Sequence, residues 1–300
     1  MGDRFVGTLI ASAMPAVALA WSDKPLDGNF PKVVANRDAY GRVVFLFGDS
    51  IFRGCALDGW ADDIEAAGLV DPLSAVRSPA AMLNAMKTET DDRLFAVYVG
   101  NLGQPFAARV DKTVAQMRSM AAIVRPGDVF VFEDAGAHLN DPRDYEANWR
   151  TLRATAAEVG AQVVMMTMPD SLTVETYAGL PADQFRYDVK FGGVSHNDVT
   201  RSAARAKVGG KAAILLDYDA KMAALDKRIA RHGLAGLKSD GIHPNIWGQC
   251  LLVTQLAKAI KAPVRHDGVR DLVAAHHEQA HLPSAEVARR VMEACVPAAR

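Results

Sequence analysis

The stretch RVVFLFGDSIFRG, residues 42–54, decides the fold. After Arg42 it runs through five apolar residues without a break, as a strand buried on both faces does. It then stops on Gly48-Asp49-Ser50. A Ser just past a strand serves as a helix cap or turn residue, or does chemistry where a sheet presents its reactive edge.

Four similar runs follow: LFAVYV (94–99), DVFVFE (128–133), AQVVMMTM (161–168) and AAILLD (212–217). Between them lie helical stretches. PFAARVDKTVAQMRSMAAIV (105–124) opens on Pro and ends before Arg125-Pro126-Gly127. DPRDYEANWRTLRATAAEVG (141–160) and DAKMAALDKRIARHG (219–233) each close on Gly, a residue suited to the position after a helix. Strand and helix alternating at this spacing predict a five-stranded parallel sheet with helices on both faces, a three-layer α/β/α sandwich. Residues 169–211 break the rhythm as a long irregular segment, either a cleft wall, with small elements of its own, or a surface excursion. After Pro263 the tail reads as two short helices.

Composition narrows the function classes. The chain has 300 residues, half of them apolar, and a net charge of −1 with no dense Lys/Arg block, so nothing favours nucleic acid. No apolar run reaches the roughly 18 residues of a membrane span. Cys55, Cys250 and Cys295 are too few for a disulfide scaffold and fit no zinc spacing. One bridge plus a free thiol, or three free thiols, are equally open. At the N-terminus an apolar run from Phe5 ends near Ala18-Leu19-Ala20, which reads as an export signal over residues 1–20. The alternative is an N-terminal helix covering the domain. The domain proper then runs over 21–262 and a helical extension over 263–300. The protein is periplasmic or secreted if 1–20 is removed, and cytoplasmic otherwise.

A Ser hydroxyl needs a base within hydrogen-bond reach, itself oriented by a third group, before it attacks a carbonyl. Of eight His, His243 stands out: KSDGIHPNIWGQ sets it three residues after Asp240. Gly241 permits a tight turn between them, and Pro244 suits the start of the next helix. In such a turn Asp240 accepts from one ring nitrogen of His243, and the other is left for Ser50.

Gly48-Asp49-Ser50 after the first strand, together with Asp240-Gly241-Ile242-His243-Pro244 before the last domain helix, resembles the SGNH/GDSL hydrolase superfamily. The resemblance covers roughly residues 42–262. It implies a flavodoxin-like sandwich and ester hydrolysis through an acyl-serine intermediate, with Ser50, His243 and Asp240 as the triad. The substrate is then a small-molecule, lipid or glycan ester, and no metal or organic cofactor is required. An O-acyltransferase with the same triad, or a non-catalytic binding protein on the same fold, is the alternative.

Two further family blocks match in part. After the second strand the family places a Gly whose N–H helps hold the oxyanion; YVGNLGQPFA offers Gly103 by position, with Gly100 as the alternative and Asn101 beside them. After the third strand the family has G-x-N, whereas FEDAGAHLND has Ala135 or Gly136 where that Asn belongs. Losing one oxyanion donor costs about 10²–10³ in rate, and His138, Asn140 and Asn101 are the candidates that could swing in to replace it. Asp49 shapes the turn after the strand. Asp49, Asp134 and His138 are also candidates for substrate contact. Glu133 and Asp134 read first as a cap or a buried hydrogen-bonded pair, since carboxylates beside an oxyanion oppose it.

The remaining motifs carry less. His277-Glu278-Gln279-Ala280-His281 fits H-E-x-x-H, but Pro283 interrupts the helix and only Glu286 and Glu293 follow as ligands. A polar face on the C-terminal extension is the better reading. His232 suits a helix C-terminus, and His196 and His266 carry no signal. No glycine-rich phosphate loop follows any strand. Trp60, Trp149 and Trp247 read as core or rim packing.

Overall fold

The computed structural model describes residues 29–48, 50–53, 78–86, 93–99, 110–133, 142–169, 190, 192–231, 244 and 246–262. The elements in chain order are α1 (Asn29–Ala35), a 3-10 turn (Arg37–Ala39), β1 (Arg42–Phe47), α2 (Ser50–Arg53), α3 (Pro79–Met86), β2 (Leu94–Tyr98), α4 (Val110–Ser119), β3 (Val129–Phe132), α5 (Pro142–Glu158), β4 (Gln162–Met166), α6 (His196–Arg205), β5 (Ile214–Leu216), α7 (Tyr218–Ala230) and α8 (Ile246–Ala259). The five strands form one parallel sheet in the order β2-β1-β3-β4-β5. This is the doubly wound, flavodoxin-like order, and each strand lies where its apolar run predicts.

The pleat separates two cores. Val43, Phe45, Phe47, Phe130, Phe132, Val163 and Met165 turn to one face, against Phe30 and Val33 of α1, Met117 of α4, Trp149 and Leu152 of α5 and Val199 of α6. Val44, Leu46, Val129, Val131, Val164 and Met166 turn to the other, against Phe52 of α2, Leu83 of α3, Met222 of α7 and Leu252 and Leu256 of α8. Both faces of every central strand are covered, which is why these strands carry no alternation of polar residues.

Aromatic side chains fill the first core. Phe47 stacks on Phe132 at 5.1 Å between ring centroids, and Phe132 meets the fully buried Trp149 edge-on at 6.2 Å. Trp149 is therefore core, and its indole N–H donates to Thr200 Oγ1 at 3.1 Å. Burying a side chain of this size stabilises the fold by roughly 1.5–3 kcal/mol.

The amino edge of the sheet is tied by one carboxylate. Asp128, fully buried just before β3, accepts from Arg37 Nη2 at 2.6 and 2.7 Å, from Val43 N–H at 2.8 Å and from Arg125 N–H at 2.8 Å. It joins the 3-10 turn, β1 and the approach to β3, at the end of the sheet opposite Ser50.

The segment 169–211 carries a small element of its own, as a segment of that length was expected to. It holds the ten-residue helix α6, started by a reciprocal capping box between Ser195 and Asp198. His196, without a signal in the sequence, is buried on α6 and packs edge-on against Tyr145 at 4.7 Å. Asn197 fastens this helix to the end of β4, accepting from Met168 N–H at 3.0 Å and donating to Met168 O at 2.8 Å. Cys250 is a free, buried thiol. Residues 1–28 and 263–300 lie outside the described residues, and with them the export-signal, tail and H-E-x-x-H readings.

Candidate active site

The strand order reverses at β1. The crossing from β1 to β2 carries α2 and α3 on one face, and the later crossings run the opposite way with α4, α5 and α6 on the other. A single crossover hand requires this, and it opens a crevice outside the carboxyl ends of β1 and β3. Phe47 pairs with Phe132 in register, so β1 and β3 end level at that crevice. Ser50 follows at once, as the first residue of α2.

The backbone around Ser50 is held from its neighbours. Val99 N–H donates to Leu46 O and Glu133 N–H to Phe47 O, both at 2.9 Å, so the ladder extends one residue beyond β2 and β3. Tyr98, the last residue of β2, donates its hydroxyl to Gly48 O at 3.1 Å. Glu133, only 2% exposed, accepts from Phe52 N–H at 3.3 Å. From α8, Gln249 Nε2 donates to Ile51 O at 2.9 Å.

Gly48 is fixed by crowding. A Cβ at this position would overlap Glu133 Oε2 and would lie 2.7 Å from Glu133 Cβ and 2.9 Å from Phe52 Cδ2. The glycine of the Gly48-Asp49-Ser50 signature therefore lets the Glu133 side chain lie against the backbone.

The far part of the same edge is built for stability. Thr167, just past β4, donates to Asp217 Oδ1 at 2.9 Å, and Arg201 of α6 bridges Asp217 at 3.0 Å and Asp219 at 2.9 Å. Burial alone would raise the Asp217 carboxyl, but hydrogen bonds from Arg201 and Thr167 and the guanidinium charge outweigh it and hold it below its ordinary range. The same carboxylates raise Arg201. The guanidinium is thus engaged with protein carboxylates.

Of the sequence-derived site residues, the structure describes Ser50 as backbone only. Asp49, Asn101, Gly103, Asp134, His138, Asp240 and His243 lie outside the described residues, as do Gly100, Ala135, Gly136 and Asn140. Their flanks are described: the chain reaches Val99 at the end of β2, Glu133 at the end of β3, and Pro244, which is buried, before α8. Glu133 is buried and acts as a cap, accepting from Phe52 N–H in the turn that begins at Ser50. Tyr98 and Gln249 went unnoticed in the sequence. Their signal is slight: a polar-tipped aromatic closing a buried strand, and a Gln immediately before the apolar run CLLV (250–253).

Among the described residues no group of three or more His, Cys, Asp or Glu side chains could hold a metal ion, and no helix is long and apolar enough to cross a membrane.

No family model and no curated protein matches the chain. Several solved structures are similar to it in fold. LAE5, an alpha/beta hydrolase enzyme from the metagenome of Lake Arreo, Spain, aligns over 75% of this chain and 97% of its own, with 20% identity and a TM-score of 0.47. Axe2, an acetylxylan esterase from Geobacillus stearothermophilus, aligns over 74% of this chain and 94% of its own, with 15% identity and a TM-score of 0.47. A Bacillus subtilis protein aligns over 73% of this chain and 56% of its own, with 18% identity and a TM-score of 0.49.

Proposed function

We propose that the protein is a serine ester hydrolase of the SGNH/GDSL type. The observation that carries this reading is the position of Ser50, on the first turn past β1 at the β1/β3 crevice. Doubly wound sheets bind their ligands there. The Asp240-x-x-His243 pair, just before α8, supplies the base and its orienting carboxylate.

The reaction runs in two halves. Ser50 Oγ attacks the acyl carbonyl while His243 takes its proton. The tetrahedral intermediate collapses and the leaving alcohol receives that proton from His243, which leaves an acyl-serine. Water then attacks the acyl carbon with His243 again as base, releasing the carboxylic acid and restoring Ser50. Asp240 holds the His243 tautomer and stabilises the imidazolium. The backbone N–H groups of Ser50 and Gly103, with Asn101 beside them, hold the oxyanion. Asp49, Asp134 and His138 contact the alcohol portion. A carbohydrate O-acetyl, small or lipid ester is the substrate class, met outside the cytoplasm where residues 1–20 act as an export signal.

The test is turnover of short p-nitrophenyl esters by the wild type and by Ser50→Ala, Asp240→Ala and His243→Ala. Ser50→Ala is expected to lose at least about 10³-fold in kcat. Ser50→Ala turning over like the wild type would overturn the reading. Turnover that requires an added alcohol acceptor would instead assign the triad to acyl transfer.

A further inference from the structure

In the turn that carries Ser50, two backbone groups next to the serine are met by buried side chains. Helix α2 is four residues long. Its first-turn amides have no intrahelical acceptor, and its carbonyls have no amide four residues on within the helix. Phe52 N–H is accepted by Glu133 Oε2 at 3.3 Å, and Ile51 O receives Gln249 Nε2 at 2.9 Å. Glu133 is 2% exposed and Gln249 fully buried, so water does not readily substitute for either. The Glu133 side chain also lies against Gly48 on the other side of Ser50.

The two grips arrive from different parts of the fold. Glu133 belongs to the end of β3, level with the end of β1. Gln249 belongs to α8, the helix that follows His243-Pro244, and its contact spans 198 residues of sequence.

We propose that Glu133 and Gln249 are positioning residues, a clamp that fixes the backbone of residues 51–52 and thereby sets where Ser50 stands against the segment preceding α8. Its consequence for catalysis rests on Ser50 being the nucleophile; the clamp itself does not. Glu133 acts as a hydrogen-bond acceptor here, so Gln at that position keeps the clamp and Ala removes it. Gln249 acts as a donor, so Leu at that position removes its grip and keeps the side-chain volume. A nucleophile displaced by about 1 Å loses on the order of 10²-fold in rate.

The experiment combines hydrogen exchange of the peptide containing residues 50–53 with the rate of fluorophosphonate capture by Ser50, in the full-length protein. Glu133→Ala and Gln249→Leu are expected to speed exchange there by about tenfold or more, as local opening becomes easier. They should also slow capture by roughly 10- to 100-fold. Glu133→Gln is expected to keep both close to wild type, whereas Glu133→Met, which fills similar space without an oxygen acceptor, is expected to behave like Glu133→Ala; a Met variant close to wild type would assign the effect to packing and overturn the clamp. Unchanged exchange in Glu133→Ala and Gln249→Leu overturns the clamp. So does a Glu133→Gln variant as impaired as Glu133→Ala, which would assign the effect to charge. If Glu133→Ala does not fold, Gln249→Leu and Glu133→Gln still decide the outcome. A wild type that takes up no phosphonate, while exchange follows the expected pattern, would sink the hydrolase reading and leave the clamp standing.

Discussion

Gly48, Ser50 and Glu133 shape the carboxyl end of β1, and each answers to a different constraint. Ser50 is placed by topology, just past the end of β1 where the strand order reverses. Gly48 is required by crowding and Glu133 by an orphan amide. Gly48→Ala is expected to destabilise the protein by about 1–3 kcal/mol, because an added methyl group must displace Glu133 and Phe52. Chemical denaturation would measure it, and a coupling above about 0.5 kcal/mol with Glu133→Ala in a double-mutant cycle would show that the two positions share the same space. The serine was legible in the sequence because a polar residue breaks a buried strand at a topologically special place. The proposed clamp was legible only in part: Glu133 read as a cap, whereas Gln249 reaches Ile51 only once α8 is folded beside β1.

At the scale of elements, the strands were the most legible. Each is apolar on both faces, and Gly127 and Gly160 (φ +99° and +87°) stand just before β3 and β4, where a left-handed turn is needed. Helix α6 was missed because its pattern is short and flanked by glycines, and the capping box Ser195-His196-Asn197-Asp198 ends in Asp where Glu or Gln is usual. Its amino-terminal turn is fastened to the end of β4 by Asn197. Asn197→Ala leaves the Met168 N–H and C=O without their side-chain partner and is expected to cost about 1–3 kcal/mol, read by thermal or urea unfolding. At the opposite edge of the sheet, Asp128→Ala strands the buried Arg37 and two backbone amides. Its expected cost is about 3–5 kcal/mol, measured in the same way. A loss under 1 kcal/mol in either variant would contradict the role given to that side chain.

For the whole molecule, Asp128 ties the amino edge of the sheet, and the carboxyl edge divides into the Ser50 crevice and the Arg201 network. The network makes a pH prediction. Asp217 titrates lower in the folded protein than in the unfolded chain, so its contribution is complete above the ordinary carboxylate range of about pH 4 and is lost as pH falls through the lowered folded value. Asp217→Asn should therefore be less stable than wild type at neutral pH, with the gap closing in acid; a gap that widens on acidification would contradict the assignment. The central claim, that Ser50 is a nucleophile, is tested most directly by covalent capture. Wild-type protein treated with a fluorophosphonate and digested should carry a single added phosphonyl mass on the peptide containing Ser50, absent from His243→Ala under the same conditions. A wild type that stays unmodified at Ser50 would contradict the account.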